Sequence, residues 1–147
     1  MAAAAARRGP PKALTNEEVK STLMSPLTQP YLENLLTTRL PPFLTVIYFT
    51  AKWCGPCQKV GLQRIVNLRK DIQWFVCDVD ENDYSAGYCQ VRSIPAWLAI
   101  VRGKPLPLFQ SSDDKEICLW LSRLPTNIES PASASVLPVA AAPERKL

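Results

Sequence analysis

Apolar positions fall into blocks of different period. FLTVIYFT, residues 43–50, is almost wholly aliphatic, aromatic or β-branched. A run without polar alternation predicts a strand covered on both faces, as in the middle of a sheet flanked by helices. IQWFVCDV, residues 72–79, predicts a second strand of the same kind. Between them the period lengthens. Cys57, Val60, Gly61, Ile65 and Leu68 share one broad face, with Lys59, Gln63, Asn67 and Lys70 opposite, predicting a helix from Cys54 to about Lys70. WLAIV and LPLF flank Arg102-Gly103-Lys104 and predict a hairpin. Its second arm should be an edge strand, because Pro105 and Pro107 cannot donate to a ladder.

Shorter helices bracket this unit. TNEEVKSTLM opens on Thr15, with Glu18 three residues on, the pattern of a capping box. PYLENLLTTR predicts a second helix, stopped by Pro41-Pro42. A last helix begins near Asp113 and Glu116 and carries Ile117, Trp120, Leu121 and Leu124 on one face. Strand, helix, strand, connection, hairpin, helix is the order of an α/β fold, a central mixed β-sheet flanked by helices on both faces. Trp97 and Trp120 are expected in the core, and Trp74 fits either face of the sheet.

The ends read differently. Residues 1–14, MAAAAARRGPPKAL, form a basic leader expected to be flexible. Its alanines precede its arginines and prolines follow, the wrong order for a secretory signal. The Ala/Arg-rich composition is similar to a mitochondrial presequence but lacks serine. A cytoplasmic location is therefore expected, with mitochondrial import as the alternative. Residues 125–147, rich in Pro, Ala and Ser, predict a disordered tail. Residues 15–124 remain as one domain, large enough to bury a single core.

Charge adds little. The formal net charge of +4 owes much to Arg7, Arg8 and Lys12, whereas residues 15–124 hold twelve basic and eleven acidic side chains. No basic stripe with interleaved aromatics appears, so no nucleic-acid partner is expected. No apolar run reaches the ~18 residues of a membrane span, so no membrane partner is expected either. The chain should be a monomer.

The candidate chemistry lies in the cysteines. Histidine is absent, which removes Cys-His nucleophile pairs, Ser-His triads and mixed Cys/His zinc sites. The cysteines stand at 54, 57, 77, 89 and 118. A zinc site would want a second close-spaced pair, so no metal is expected. An odd count in a chain with an ample core argues against a disulfide scaffold. Redox chemistry remains for Cys54-Gly55-Pro56-Cys57. Cys54 follows a buried strand and opens a helix, where unpaired N–H groups favour thiolate. Pro56 in the first turn loses no helical hydrogen bond. The spacing separates an exposed Cys54 from a recessed, resolving Cys57. Cys77, Cys89 and Cys118 read first as small hydrophobes.

WCGPC, CDVDEN and VRSIPAWLAIVRGK together resemble the thioredoxin family over residues 31–124. The resemblance implies a thioredoxin-like fold with a cis Ile94-Pro95 peptide beside the cysteines. It also implies a substrate rim of Trp53, Gly55, Pro56, Ile94 and Pro95. The implied activity is protein-disulfide reduction, with Cys54 as nucleophile, Cys57 as resolving thiol, and a redox-active Cys54–Cys57 disulfide between turns. Disulfide-bearing client proteins and a thioredoxin reductase are the implied partners. No cofactor would be bound, the electrons coming from NADPH through that reductase. Cys89 falls where animal thioredoxins carry a regulatory thiol.

Four departures qualify the resemblance. The family's buried Asp, six residues before the first cysteine, is Tyr48, and the lysine paired with it is Val76. Both charges are lost together, as expected where either alone would be costly to bury. Cys57 is left without an evident general base, so weak turnover is expected. Leu62 replaces the helix-kinking proline, which implies a straighter helix, and Ser111 replaces a glycine, which implies a narrower rim. The family's first strand is hard to find in the pattern, where the helix-like TNEEVKSTLM occupies its place. A second reading is therefore a redox-sensitive protein-binding module, and a third, less favoured by Gly-Pro, is a thiol oxidase.

Overall fold

A computed structural model describes residues 13–37 and 44–126. The Pro41-Pro42 stop and nearly all of the leader and tail fall outside these residues. Leu14, by contrast, already belongs to the domain: its N–H donates to Gln63 Oε1 at 2.9 Å and its side chain packs on the core.

The helices are α1 (Asn16–Thr22), α2 (Gln29–Leu35), α3 (Gly55–Gln58), α4 (Leu62–Leu68), α5 (Asp83–Tyr88) and α6 (Asp114–Ser122). The strands are β1 (Ser25–Pro26), β2 (Leu44–Thr50), β3 (Gln73–Asp78), β4 (Ala96–Val101), β5 (Lys104–Pro105) and β6 (Phe109–Gln110). They form one mixed sheet in the order β1-β3-β2-β4-β5, with β6 also on β4. β3 runs parallel to β2 and to β1, and β4 runs antiparallel to β2.

Every residue of β2 is buried because both faces of the sheet are covered. Leu44, Val46 and Tyr48 point into one core with Trp74, Trp97, Ala99 and the apolar stripes of α1, α4 and α6. Ile47 and Phe49 point into the other, with Phe75, Cys77, Leu98, Ile100 and residues of α2 and α5. Trp74 is thereby assigned to the first face, where its Nε1 donates to the Arg69 carbonyl. Trp97 is fully buried, whereas Trp120 is half-buried and stacks on Phe109 at 5.2 Å.

Local signals explain most of the boundaries. Thr15 and Glu18 form the expected capping box. The hairpin turns through Arg102 and Gly103, both at positive φ, the signature of a type I′ turn. Its second arm is an edge, split into β5 and β6 around Leu106, Pro107 and Leu108.

Three expectations are corrected. The connection after β3 contains α5, a six-residue helix capped by Asn82, whose side chain accepts the Ser85 N–H. It is too short and too poor in apolar residues to show a period. The family's first strand is present as β1, only two residues long and half proline, placed after α1. The helix predicted from Cys54 to Lys70 is neither continuous nor straight. It breaks between Gln58 and Leu62, and Leu68, placed on its inner face, is 49% exposed. The break leaves Val60 and Leu62 both buried, although positions two apart lie on opposite sides of a regular helix, about 200° round.

Candidate redox site

Strand register assembles the site. β2 ends at Thr50, opposite Asp78 of β3, and Phe49 pairs with Ala96 of β4. The segments leaving these strand ends, Ala51–Cys57, Val79–Asp80 and Ile94–Pro95, therefore meet at one edge of the sheet. The Ile94–Pro95 peptide is cis.

Cys54 and Cys57 form a disulfide, with Cα atoms 5.3 Å apart. They pack with Ala51, Val79 and Ile94 in a small apolar cluster. Cys54 is the N-cap of α3, and the Cys57 N–H points at its Sγ from 3.1 Å. α3 is only four residues long, so in place of the long helix expected behind Cys54 there is one turn with this N–H directed at the sulfur. The Ile94 carbonyl oxygen lies 3.8 Å from Cys54 Sγ.

An exposed Cys54 beside a recessed Cys57 is not what the disulfide state presents. Their exposures are 3% and 2%. The tight α3 turn folds both under the Ile94 segment. Gly55 and Pro56 are exposed, Ile94 is half-buried and Pro95 is buried. Trp53 is 69% exposed, yet its Nε1 donates to Asp80 Oδ2 at 2.7 Å, which fixes the indole beside the disulfide. Asp80 was missed as a partner because the motif CDVDEN reveals its role only once β3 lies beside β2. A cleft of about 360 Å³ opens between Trp53 and Ile94, lined also by Val79, Ala86, Val91 and Arg92.

Beneath the cysteines, Tyr48 stacks on Trp97 with ring centroids 4.4 Å apart and donates its hydroxyl to the Cys57 carbonyl at 3.4 Å. Burial pushes its pKa up to about 12, against a smaller opposing effect of the Thr50 hydroxyl. Tyr48 is therefore a neutral donor at physiological pH. Val76 is its register partner on β3, so the two lost charges would have stood side by side. Ser111 is engaged elsewhere: its Oγ donates to Glu116 Oε1, and its carbonyl accepts from Trp97 Nε1.

Cys89 is not brought to this site. It caps the C-terminus of α5 and lines a separate apolar cavity of about 390 Å³ with Leu36, Tyr88, Leu98 and Leu106. Burial raises the Cys89 thiol to about 11 and, foremost among three causes, the Cys77 thiol to about 12. Their thiolate fractions at pH 7 are then on the order of 10⁻⁴ or less. After mild reduction, limiting iodoacetamide is expected to label Cys54 well before either. Peptide mapping checks this, and faster labelling of Cys89 would contradict it. Among the described residues, no cluster of three or more His, Cys, Asp or Glu side chains could hold a metal ion. No described helix is long and apolar enough to cross a membrane.

A paired-cysteine turn at the end of a central strand, facing a cis-proline loop, defines an α/β redox domain. The thioredoxin family model matches residues 32–122, and the chain belongs to the thioredoxin family. It is similar to thioredoxin of Geodia cydonium, 37% identical over 65 residues, which are 43% of this chain and 61% of that protein. Thioredoxin of Ictalurus punctatus is 30% identical over 78 residues, 50% of this chain and 73% of that one. Among solved structures, Fasciola hepatica thioredoxin superposes with a TM-score of 0.61 at 26% identity, covering 68% of this chain and 98% of the other. Oxidized mitochondrial thioredoxin 3 of Saccharomyces cerevisiae gives a TM-score of 0.61 at 23% identity, over 71% and 99%. The match spans less than two thirds of some relatives, 61% of the Geodia protein and 23% of a TPR repeat-containing thioredoxin from rice.

Proposed function

We propose that this protein is a protein-disulfide reductase working by dithiol–disulfide exchange. The observation that carries the reading is the Cys54–Cys57 disulfide at the start of α3, facing the cis Ile94–Pro95 loop. In the reduced protein, Cys54 thiolate attacks one sulfur of a client disulfide, forming a mixed disulfide and expelling the client's other thiolate. Cys57, deprotonated, then attacks Cys54 Sγ. The second client thiolate leaves, and the internal disulfide forms. Two electrons pass to the client, whose two thiolates take up two protons. Trp53, Gly55, Pro56, Ile94 and Pro95 form the rim on which the client chain lies.

Thioredoxin reductase, using NADPH, is the proposed source of electrons. The proposed setting is the cytoplasm, a reducing compartment where such an exchange is sustained. Tyr48 cannot accept the Cys57 proton, so the resolving step relies on water and turnover is slow. The same residue favours the second reading, a redox-sensitive binding module. Insulin reduction with thioredoxin reductase and NADPH separates the two. The reductase reading expects NADPH consumption that depends on this protein. Negligible consumption from a folded protein whose Cys54 still alkylates would sink it in favour of the binding module.

A further inference from the structure

The turn that carries Cys57 is held from outside its own helix. α3 is four residues long and is cut off from α4 by Lys59, Val60 and Gly61. Gly61 has φ −84° and ψ 78°, and the Leu62 N–H reaches back to the Val60 carbonyl at 3.1 Å, an inverse γ-turn. Such a break leaves backbone groups without helical partners. Two side chains take them. Asn16, the first residue of α1, donates Nδ2 to the carbonyls of Val60 (2.7 Å) and Gln58 (3.3 Å) and accepts the Leu62 N–H on Oδ1 at 3.3 Å. Asp114, the first residue of α6, accepts the Gly61 N–H on both carboxylate oxygens, at 3.0 and 3.2 Å. The fit is close, since a Cβ on Gly61 would come within 2.7 Å of Asp114 Oδ2.

We propose that Asn16 and Asp114 are positioning residues of the redox pair, clasping the Cys57 turn and so setting how readily the disulfide closes. This rests on the reading of Cys54 and Cys57 as an exchanging pair. Neither clasp residue touches sulfur. The turn they hold is one residue from Cys57, whose own carbonyl is tied to the Val60 N–H and the Tyr48 hydroxyl, each at 3.4 Å. The relevant equilibrium is disulfide plus two glutathione thiols against dithiol plus glutathione disulfide, two electrons and two protons moving each way. Its position depends on the effective concentration of the Cys57 sulfur at Cys54. A clasped turn keeps that concentration high and favours closure. A frayed turn lowers it and makes the pair more oxidising. Where the resemblance expects a proline to set the bend, this chain sets it with side chains from two distant helices, making α1 part of the redox apparatus.

The test equilibrates the full chain in glutathione buffers and reads the reduced fraction of Cys54 and Cys57 by alkylation and mass. Asn16→Ala and Asp114→Ala are each expected to favour the dithiol about tenfold, roughly 30 mV. Asp114→Asn keeps an acceptor for Gly61 and should stay within about threefold of the parent. Arg69→Ala is the control, because Arg69 donates to the Leu121 and Pro125 carbonyls at the other end of α6. It should lower the melting temperature without moving the equilibrium. Alanine variants within twofold of the parent, or an equal shift from Arg69→Ala, would overturn the proposal. Should Asn16→Ala fail to fold, a folded Asn16→Ser variant must shift in the same direction, and no shift overturns it equally. The readout needs no client: a parent inactive on insulin but reversible in glutathione would sink the reductase reading and leave the clasp standing.

Discussion

Replacing Cys54 by serine is expected to reduce insulin turnover to background, a loss of at least about three orders of magnitude, as for removal of an enzyme's nucleophile. A serine hydroxyl has no accessible anion at neutral pH and cannot form the mixed disulfide. Cys57→Ser should behave differently. The first attack survives, the second cannot occur, and clients remain joined to Cys54 as a reducible band on non-reducing gels. Two observations support this division of roles. The Cys57 N–H is directed at Cys54 Sγ, and the Cys57 carbonyl is anchored below by Tyr48. Retention of more than a tenth of the parental rate by Cys54→Ser would defeat the assignment, as would mixed disulfides on Cys57 in place of Cys54.

The largest expected loss of stability follows Tyr48→Asp, which restores the family's acid without its lysine. A carboxylate there stands against Trp97 and Val76, faces the Cys57 carbonyl oxygen that the hydroxyl now satisfies, and feels the negative charge of Glu17. An uncompensated buried charge should cost about 3–5 kcal/mol at pH 7, read as a lower urea midpoint. The pH dependence has a definite sign. Burial raises the folded pKa of the new carboxyl above its unfolded value near ~4, so the charge penalty is absent below that pH and grows above it. By the same rule the parental Tyr48, raised to about 12, keeps its contribution below pH 10 and loses it between 10 and 12. Adding Val76→Lys to Tyr48→Asp should recover at least about 1 kcal/mol of the penalty, since neighbouring sites couple. A loss under about 1 kcal/mol from the single change would show that water reaches this position.

The sheet was legible because its strands are buried on both faces and read as unbroken apolar runs, β2 above all. The cysteine turn was legible because Gly-Pro between two cysteines fits one local geometry. What escaped the sequence lay in contacts between distant segments. Periodicity placed Val60, Gly61 and Leu68 on one helix, since nothing local indicated that Asn16 and Asp114 would supply partners for a break. α5 carries Gly87 and tyrosines over six residues, too few to show a face. Tyr48 was seen as an absence of acid. Its positive role, a hydrogen bond to the Cys57 carbonyl, required the strand's register to be known. The exposure of Cys54 was misjudged because its cover comes from Ile94, forty residues on.

The family match begins at residue 32, but the fold begins earlier. Leu14, Val19 and Met24 fill the first core, Leu27 joins the second, and β1 extends the sheet beside β3. A fragment cut to the matched boundaries would lose an edge strand, part of both cores and the amide that holds the helix break. It should be prone to aggregation and hard to purify, however complete its signature motif. For expression, truncation or domain grafting, a boundary at residue 32 removes packed parts of the fold, Leu14 and Val19 among them.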